Sequence, residues 1–237
     1  MQNVGERRSD ELKRFLSQLG VEGLYTISDL SLIDEALTHT SARLNKNHER
    51  LEFLGDAVLR LACSEYIDRE HPDLPVGKRS ELRAQLVSDQ WLAELGASIE
   101  IETILLTGTH ARRDNNARHT LRAEAAEALI GALYLQPNGL EQVHAWLTPH
   151  WKQRSMAVLA RPDLFNSKSA LQEWSQAQKL GLPSYETGEH NLHHGDPCRF
   201  RSCVRIGNLI TSEGFGRSRK EAEQQAAQAA LQALKEL

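Results

Sequence analysis

The residues best placed to do chemistry lie between His48 and Leu59, in the run HERLEFLGDAVL. On a helix, at roughly 100° per residue, Glu49, Glu52 and Asp56 fall within about 60° of one another. Leu51, Leu54, Val58 and Leu61 then cluster on nearly the opposite side, so one face packs a core and the other presents three carboxylates. Like charges at this spacing destabilise a helix by a few tenths of a kcal/mol. A hard divalent cation is the simplest compensation. A second acidic pair, Glu124 and Glu127 in RAEAAEALIGALYL, has i, i+3 spacing. Gly131 lies on the same face one turn later, where the lack of a side chain lets a neighbouring helix come close.

Two such helices, facing each other with Glu52 and Asp56 against Glu124 and Glu127, would form an all-oxygen cage suited to Mg²⁺ or Mn²⁺ and not to zinc. Phosphodiester hydrolysis needs such a cage: bound metals neutralise phosphate charge, generate a nucleophilic water and stabilise the leaving oxygen. Spacing alone also fits a solvated acidic helix face. A di-iron bundle requires Glu-x-x-His pairs, and the helical segments read from the sequence contain none. The sequence has no Ser-His-Asp or Cys-His arrangement and no glycine-rich phosphate loop, so no nucleotide cofactor is expected.

Apolar spacings of three and four predict helices through about residue 160. They run through ERRSDELKRFLSQLG, SDLSLIDEALTHTS, HERLEFLGDAVLRLACSEYI, KRSELRAQLVSDQWLAELG and RHTLRAEAAEALIGALYL. Pro72, Pro75 and Asn138-Gly139 punctuate them. The polar stretch 107–119 reads as an exposed loop. After Arg161-Pro162-Asp163 the pattern changes. SKSALQEWSQAQKLG predicts a short amphipathic helix, followed by strand-like runs SYETGEH, CRFRSCVRI and LITSEGFG. In the second run Phe200, Ser202 and Val204 alternate with Arg199, Arg201, Cys203 and Arg205, as one wet face requires. NLHHGDP is a loop, and SRKEAEQQAAQAALQALKEL a strong Ala-rich helix. Helix, three strands, helix over about 70 residues predicts a small α+β domain with its helices on one sheet face.

The chain has 237 residues, 40% hydrophobic and 25% charged, an ordinary globular composition with room for two domains. No apolar run approaches the roughly 20 residues of a membrane helix, and the N-terminus lacks a signal-peptide core. Cys63, Cys198 and Cys203 are odd in number and form no C-x-x-C pair. They read as free thiols of a reducing cytoplasm. The net charge of −4 is unevenly spread: residues 165–237 carry about +1 and the remainder about −5. Phosphate binding needs a local basic cluster rather than a basic chain, so this balance does not exclude nucleic acid. Ser218 and Glu221 have capping-box spacing at the start of the last helix. Arg219 and Lys220 then occupy its first turn, where the helix dipole is positive and cations are unfavourable unless an anion docks there. A solvated basic turn also fits this feature.

HERLEFLGDAVL closely resembles the signature of the ribonuclease III family, whose Glu-x-x-Glu-Phe-Leu-Gly-Asp core is highly specific. EALTHTS, ELRAQLVSDQWLAELG and AEAAEALIGALYL resemble further family segments in the right order. ALQEW, PSY and GFGRSRKEAEQQAA resemble a double-stranded-RNA-binding domain. The resemblance covers the chain from about residue 10 to its end. It implies an all-α nuclease domain over 8–160, a linker over 161–166 and an α-β-β-β-α RNA-binding domain over 167–237. The implied activity is Mg²⁺-dependent cleavage of double-stranded RNA, with Mn²⁺ as a substitute, by a homodimer whose two clefts each cut one strand. Products would carry 5′-phosphates and short 3′ overhangs. Precursor ribosomal RNA and other structured transcripts are the expected substrates.

The resemblance makes Glu52, Asp56, Glu124 and Glu127 the metal-site acids. Asp56 and Glu127 are catalytic, Glu49 assists at the cleft, and Phe53 inserts into the partner subunit. Gln172 and Gln176, with Arg219 and Lys220, are the implied RNA contacts. Such domains read A-form shape over about 16 base pairs with little sequence preference. The sequence departs from the family in two places: Glu124 stands where Asp is more usual, and Val76 stands where Glu often precedes the glycine. In the loop between the first two strands a His is common. Here Asp196 lies near that place, with His193 and His194 as neighbours. A non-catalytic RNA-binding protein with a degenerate nuclease domain is the alternative.

Overall fold

Two long helices, α3 (Glu49–Glu70) and α6 (Ala117–Tyr134), form the centre of the N-terminal unit. Their backbones touch. A Cβ added at Gly55 would fall inside the van der Waals shell of the Glu127 carbonyl oxygen, and one added at Gly131 would do the same to the Leu51 carbonyl. The close approach expected at Gly131 is therefore reciprocal. Around this pair stand α1 (Glu6–Gln18), α2 (Leu30–Ala36), α4 (Val76–Leu86), α5 (Asp89–Ser98) and α7 (Gly139–Ala160). This computed structural model describes residues 5–19, 30–108, 117–161, 166–193, 196–207 and 210–235. Most of the loop expected over 107–119 lies outside the described residues, as do His194 and residues 162–165 of the linker.

The core of this unit contains Leu51, Leu59, Tyr66, Leu86, Trp146 and Trp151, all essentially inaccessible. Burying one such aliphatic side chain contributes roughly 1.5–3 kcal/mol. Two of the three larger ones have their polar tips satisfied: Trp151 Nε1 donates to the Leu86 carbonyl at 3.1 Å, and Tyr66 Oη lies 2.9 Å from Ser155 Oγ, whereas the buried Trp146 Nε1 finds no partner among the described residues.

The structure departs from the sequence pattern in three ways. The segment 78–96 is two helices, broken at Val87 because Ser88 caps a new one: its Oγ accepts from Trp91 N at 3.3 Å. The helix α7 lies inside the helical stretch expected to about residue 160, but no segment of its own marks it in the sequence. Pro149 interrupts its pattern, and Val143, Trp146, Leu147 and Trp151 bury it broadly, leaving no clear stripe. On α3, Leu61 is 49% exposed and not core. The buried stripe runs instead through Leu51, Gly55, Val58, Leu59 and Ala62, against α6. The acids therefore flank the helix–helix contact and do not oppose it.

The chain divides into compact units Met1–Met156 and Ala157–Leu237. The second contains α8 (Ser167–Ala177), strands β1 (Ser184–Glu189), β2 (Phe200–Ile206) and β3 (Ile210–Gly216), and α9 (Arg219–Lys235). The sheet is antiparallel in the order β1-β2-β3. Val204 pairs with Tyr185 and Ser212, and Arg201 with Gly188 and Phe215. Leu171, Val204, Ile206, Ala226, Ala227 and Ala230 make its core. The small alanines let α9 lie close against the sheet. On the wet face of β2, Arg201 pairs with Glu213, and Arg199, just before the strand, pairs with Glu189. The fold is an all-α domain followed by a small α+β domain, as the sequence implies.

Candidate active site

Four carboxylates converge where α3 and α6 cross. Glu52 and Asp56 come from the first turns of α3, and Glu124 and Glu127 from the middle of α6. All four are partly buried. The Gly55–Gly131 contact removes the side-chain layer that normally separates two helices by 8–10 Å. The acids on its flank are therefore close, and the ionisation of Glu127 and Glu52 reflects it. Burial, with the charges of Asp56, Glu52 and Asp89, pushes Glu127 up to about 7. Burial and the charge of Glu124 also raise Glu52. Arg60, one turn beyond Asp56, offsets part of the repulsion. Its Nη2 lies 2.8 Å from Asp56 Oδ1, and its Nε lies 2.9 and 3.0 Å from the two carboxylate oxygens.

Glu49, Glu52, Phe53 and Glu124 line one open cleft with His39, Thr40 and His48, with a volume of about 390 Å³. Glu49 is exposed on its rim. Phe53, 86% exposed, stands beside it, and Ala57 and Leu61 are exposed further along α3. Val76 is 79% exposed at the first residue of α4.

Sequence reasoning missed the two histidines. Their rings stack at 5.0 Å with 17° between planes. His48 Nε2 lies 3.2 Å from Glu52 Oε2 and 3.6 Å from Glu124 Oε2, and His39 Nε2 lies 3.7 Å from that same Glu124 oxygen. Burial opposes charge on His48, but the neighbouring Glu124, the Thr38 carbonyl and Glu52 outweigh it, so its pKa rises. Burial and the adjacent His48 lower His39. Two stacked rings in one cleft cannot both hold a charge cheaply, and the better-paired ring keeps it. HERLEFLGD did contain His48, but nothing in its spacing tied it to Glu124, which is 76 residues away. One Glu-x-x-His pair does occur, Glu141 and His144 on α7, outside the segments quoted from the sequence. There His144 Nε2 is held by Glu65 at 2.7 Å.

A profile described as Ribonuclease-III-like matches residues 29–150, and one for the double-stranded RNA binding motif matches residues 167–234. Ribonuclease 3 of Prochlorococcus marinus is 48% identical over 98% of this chain and 96% of its own length. The chain belongs to the ribonuclease III family. A Nostoc protein named Ribonuclease 3 2 is 39% identical, covering 98% of this chain and 95% of itself. The nuclease domain of ribonuclease III from Campylobacter jejuni superposes with a TM-score of 0.51 at 30% identity, covering 64% of this chain and 94% of that one. As a ribonuclease III family member the chain is an endoribonuclease for double-stranded RNA, from a family of metal-dependent nucleases.

In the RNA-binding unit, Gln172 and Gln176 are exposed one turn apart on α8, and Arg219 and Lys220 are exposed at the start of α9. Ser218 Oγ accepts from Glu221 N at 3.2 Å, which is half of the expected capping box. The return bond lands one residue early: Glu221 Oε2 accepts from Arg217 N at 2.8 Å. Arg219 Nη1 donates to the Thr187 carbonyl at 2.9 Å, and its guanidinium lies 5.7 Å from the Phe200 ring centre. Arg219 therefore ties α9 to β1 and β2. Lys220 is a simpler exposed charge. In the loop, Asp196 accepts from Cys198 N at 2.7 Å, which together with Asn191 and two histidines holds its carboxyl below the usual range.

Among the described residues no helix is long and apolar enough to cross a membrane.

Proposed function

We propose that Glu52, Asp56, Glu124 and Glu127 form the hydrolytic centre, with Asp56 and Glu127 acting at the scissile phosphate and Glu49 extending the acidic rim. The observation that carries this reading is the meeting of the two acidic pairs across the glycine contact, where burial first, and the charges of Asp56 and Glu52 next, lift Glu127 to about 7. Such a meeting in a metal-free cleft costs free energy that an ordinary core would not tolerate. The donors are all carboxylate oxygen, which fits a hard divalent ion, Mg²⁺ with Mn²⁺ as a substitute. Bound there, the ion supplies neutralisation of phosphate charge and a more acidic water. The chain's own residues do the rest. The glycine contact fixes the distance between the two pairs of acids, and Arg60 holds Asp56 in one orientation. Water oxygen bonds to phosphorus while the bond to the 3′ oxygen breaks and that oxygen takes a proton, leaving a 5′-phosphate and a 3′-hydroxyl.

Phe53, Ala57 and Leu61 form an open apolar strip along α3, which supports a homodimer with Phe53 inserted into the partner. Two clefts would then cut the two strands and leave short 3′ overhangs. Gln172, Gln176, Arg219 and Lys220 face the RNA in this reading, Arg219 also serving as a strap. The working boundaries are a nuclease domain over 8–160, a linker over 161–166 and an RNA-binding domain over 167–237. Val76 puts no carboxylate at the N-terminus of α4, where the helix dipole would favour one, and that supporting role stays unfilled. A cytoplasmic enzyme trimming precursor ribosomal RNA and other structured transcripts is the biological setting we propose.

The deciding experiment incubates the protein with a long duplex RNA in Mg²⁺ or EDTA, beside Glu127→Gln. Cleavage by wild type only with Mg²⁺, and binding without cleavage by the variant, is the expected result. Wild type that binds duplex RNA but never cuts it under any divalent metal would make the chain a non-catalytic RNA-binding protein.

A further inference from the structure

We propose that His39, His48 and Glu124, with Glu52 beside them, form a second metal position that takes a nitrogen-seeking first-row ion, zinc first. The three donors His39 Nε2, His48 Nε2 and a Glu124 oxygen lie within 4.8 Å of one another. Glu124 Oε2 lies 3.6 Å from His48 Nε2 and 3.7 Å from His39 Nε2, and Glu52 Oε2 lies 3.2 Å from His48 Nε2. A tetrahedral ion with bonds of about 2.0–2.1 Å holds its ligand atoms roughly 3.3–3.4 Å apart, so each imidazole–carboxylate pair needs to change by only a few tenths of an ångström.

The outer side of the His48 ring is arranged as in metal-binding histidines, which usually donate the other ring N–H to a fixed oxygen. His48 Nδ1 lies 3.2 Å from the Thr38 carbonyl, which leaves Nε2 facing the cleft. His39 Nδ1 lies 2.7 Å from Ser41 Oγ. His39 is the weaker ligand, because its Nδ1 also accepts from Ser41 N at 3.0 Å and must give up that bond. The backbone beneath is rigid: His48 N donates to the Thr38 carbonyl at 2.9 Å, and His39 N to the Leu106 carbonyl at 2.9 Å, where Thr38 and Leu106 form a parallel bridge. Imidazole with carboxylate suits zinc, whereas Mg²⁺ takes oxygen alone.

The two positions share Glu52 and Glu124, so zinc and Mg²⁺ exclude one another. This antagonism rests on the carboxylate reading above; zinc binding does not. Zinc would therefore act as a brake on the enzyme.

The test is calorimetric titration of the full chain with Zn²⁺, together with zinc K-edge absorption on the loaded wild type. We expect one ion per chain, with scattering from two imidazoles and oxygen and none from sulfur. His48→Gln should weaken Zn²⁺ binding about 100-fold, and His39→Gln about 10-fold. His39 is partly exposed, so its variant tests the site even if the buried His48 variant fails to fold. Glu127→Gln should keep zinc while weakening Mg²⁺. Scattering from sulfur or from oxygen alone, or a Zn²⁺ affinity unchanged in His39→Gln, overturns the site. Zinc held by imidazoles but indifferent to millimolar Mg²⁺ would leave the zinc site standing and overturn the shared cage.

Discussion

Replacing Glu127 by Gln should stabilise the metal-free protein while abolishing cleavage. A carboxyl raised from 4.5 to about 7 costs about 3.4 kcal/mol more to ionise than an unperturbed one, at about 1.36 kcal/mol per pH unit. The side chain is partly exposed, and solvent screening reduces this to ~1–2 kcal/mol. The sign follows from linkage. Between pH 4.5 and about 7 the folded chain holds a proton that the unfolded chain has released, so this group makes stability fall as pH rises through that window. Glutamine has no such dependence. In EDTA at pH 8 the variant should melt roughly 2–8 °C above wild type, taking about 2–4 °C per kcal/mol for a chain of this size. At pH 5 the gap should shrink to a few tenths of a kcal/mol. Adding Mg²⁺ should raise the wild-type melting temperature more than that of the variant, because only a ligand of the folded state stabilises it. Calorimetry at the two pH values checks this. A variant no more stable than wild type at pH 8, or a gap of equal size at pH 5, refutes the idea that burial and its acidic neighbours hold Glu127 in its neutral form.

Gly131→Ala gains about 1 kcal/mol of helix propensity, but its methyl group meets the Leu51 carbonyl, and overpacking of this kind costs roughly 1–3 kcal/mol or more. A lower melting temperature with weakened Mg²⁺ binding is expected, and unchanged metal affinity would show that the helix spacing does not set the site. Phe53→Ala removes an exposed ring, so the monomer fold should stay intact. Dimerisation should weaken by about 30-fold, the equivalent of ~2 kcal/mol for an aromatic anchor, as read by sedimentation equilibrium. Lys220→Ala should weaken duplex binding uniformly and lower the salt slope by about 1, without changing melting. Arg219→Ala should lower both affinity and melting temperature, since its guanidinium holds Thr187; a melting curve identical to that of Lys220→Ala would remove its structural role.

The parts legible in the sequence were those with local causes. The alternation of Phe200, Ser202 and Val204 against arginines gave β2 because a strand's two faces are written two residues apart. The acids of α3 and α6 and the bare Gly131 were readable because helical spacing puts them on one face. Leu61 misled because an apolar residue on a helix reads as core whatever covers it. Within the helical stretch expected to about residue 160, the helix α7 had no distinct stripe of its own because it is buried on several sides and carries Pro149. The meeting of His39 and His48 with Glu124 is purely tertiary. It depends on the Thr38–Leu106 bridge, which brings together segments almost 70 residues apart.

The Gly55–Gly131 contact also separates two design problems. Main chain rests on main chain there, so the gap between the two acidic pairs does not depend on which apolar side chains fill the rest of the bundle. Core residues such as Leu59 or Ile130 can be exchanged for others of similar volume without resetting the cleft. The cleft is in effect a portable module: two short helical segments, each carrying two acids and one glycine. Grafted as a unit onto an unrelated helical bundle, they should bring their spacing with them.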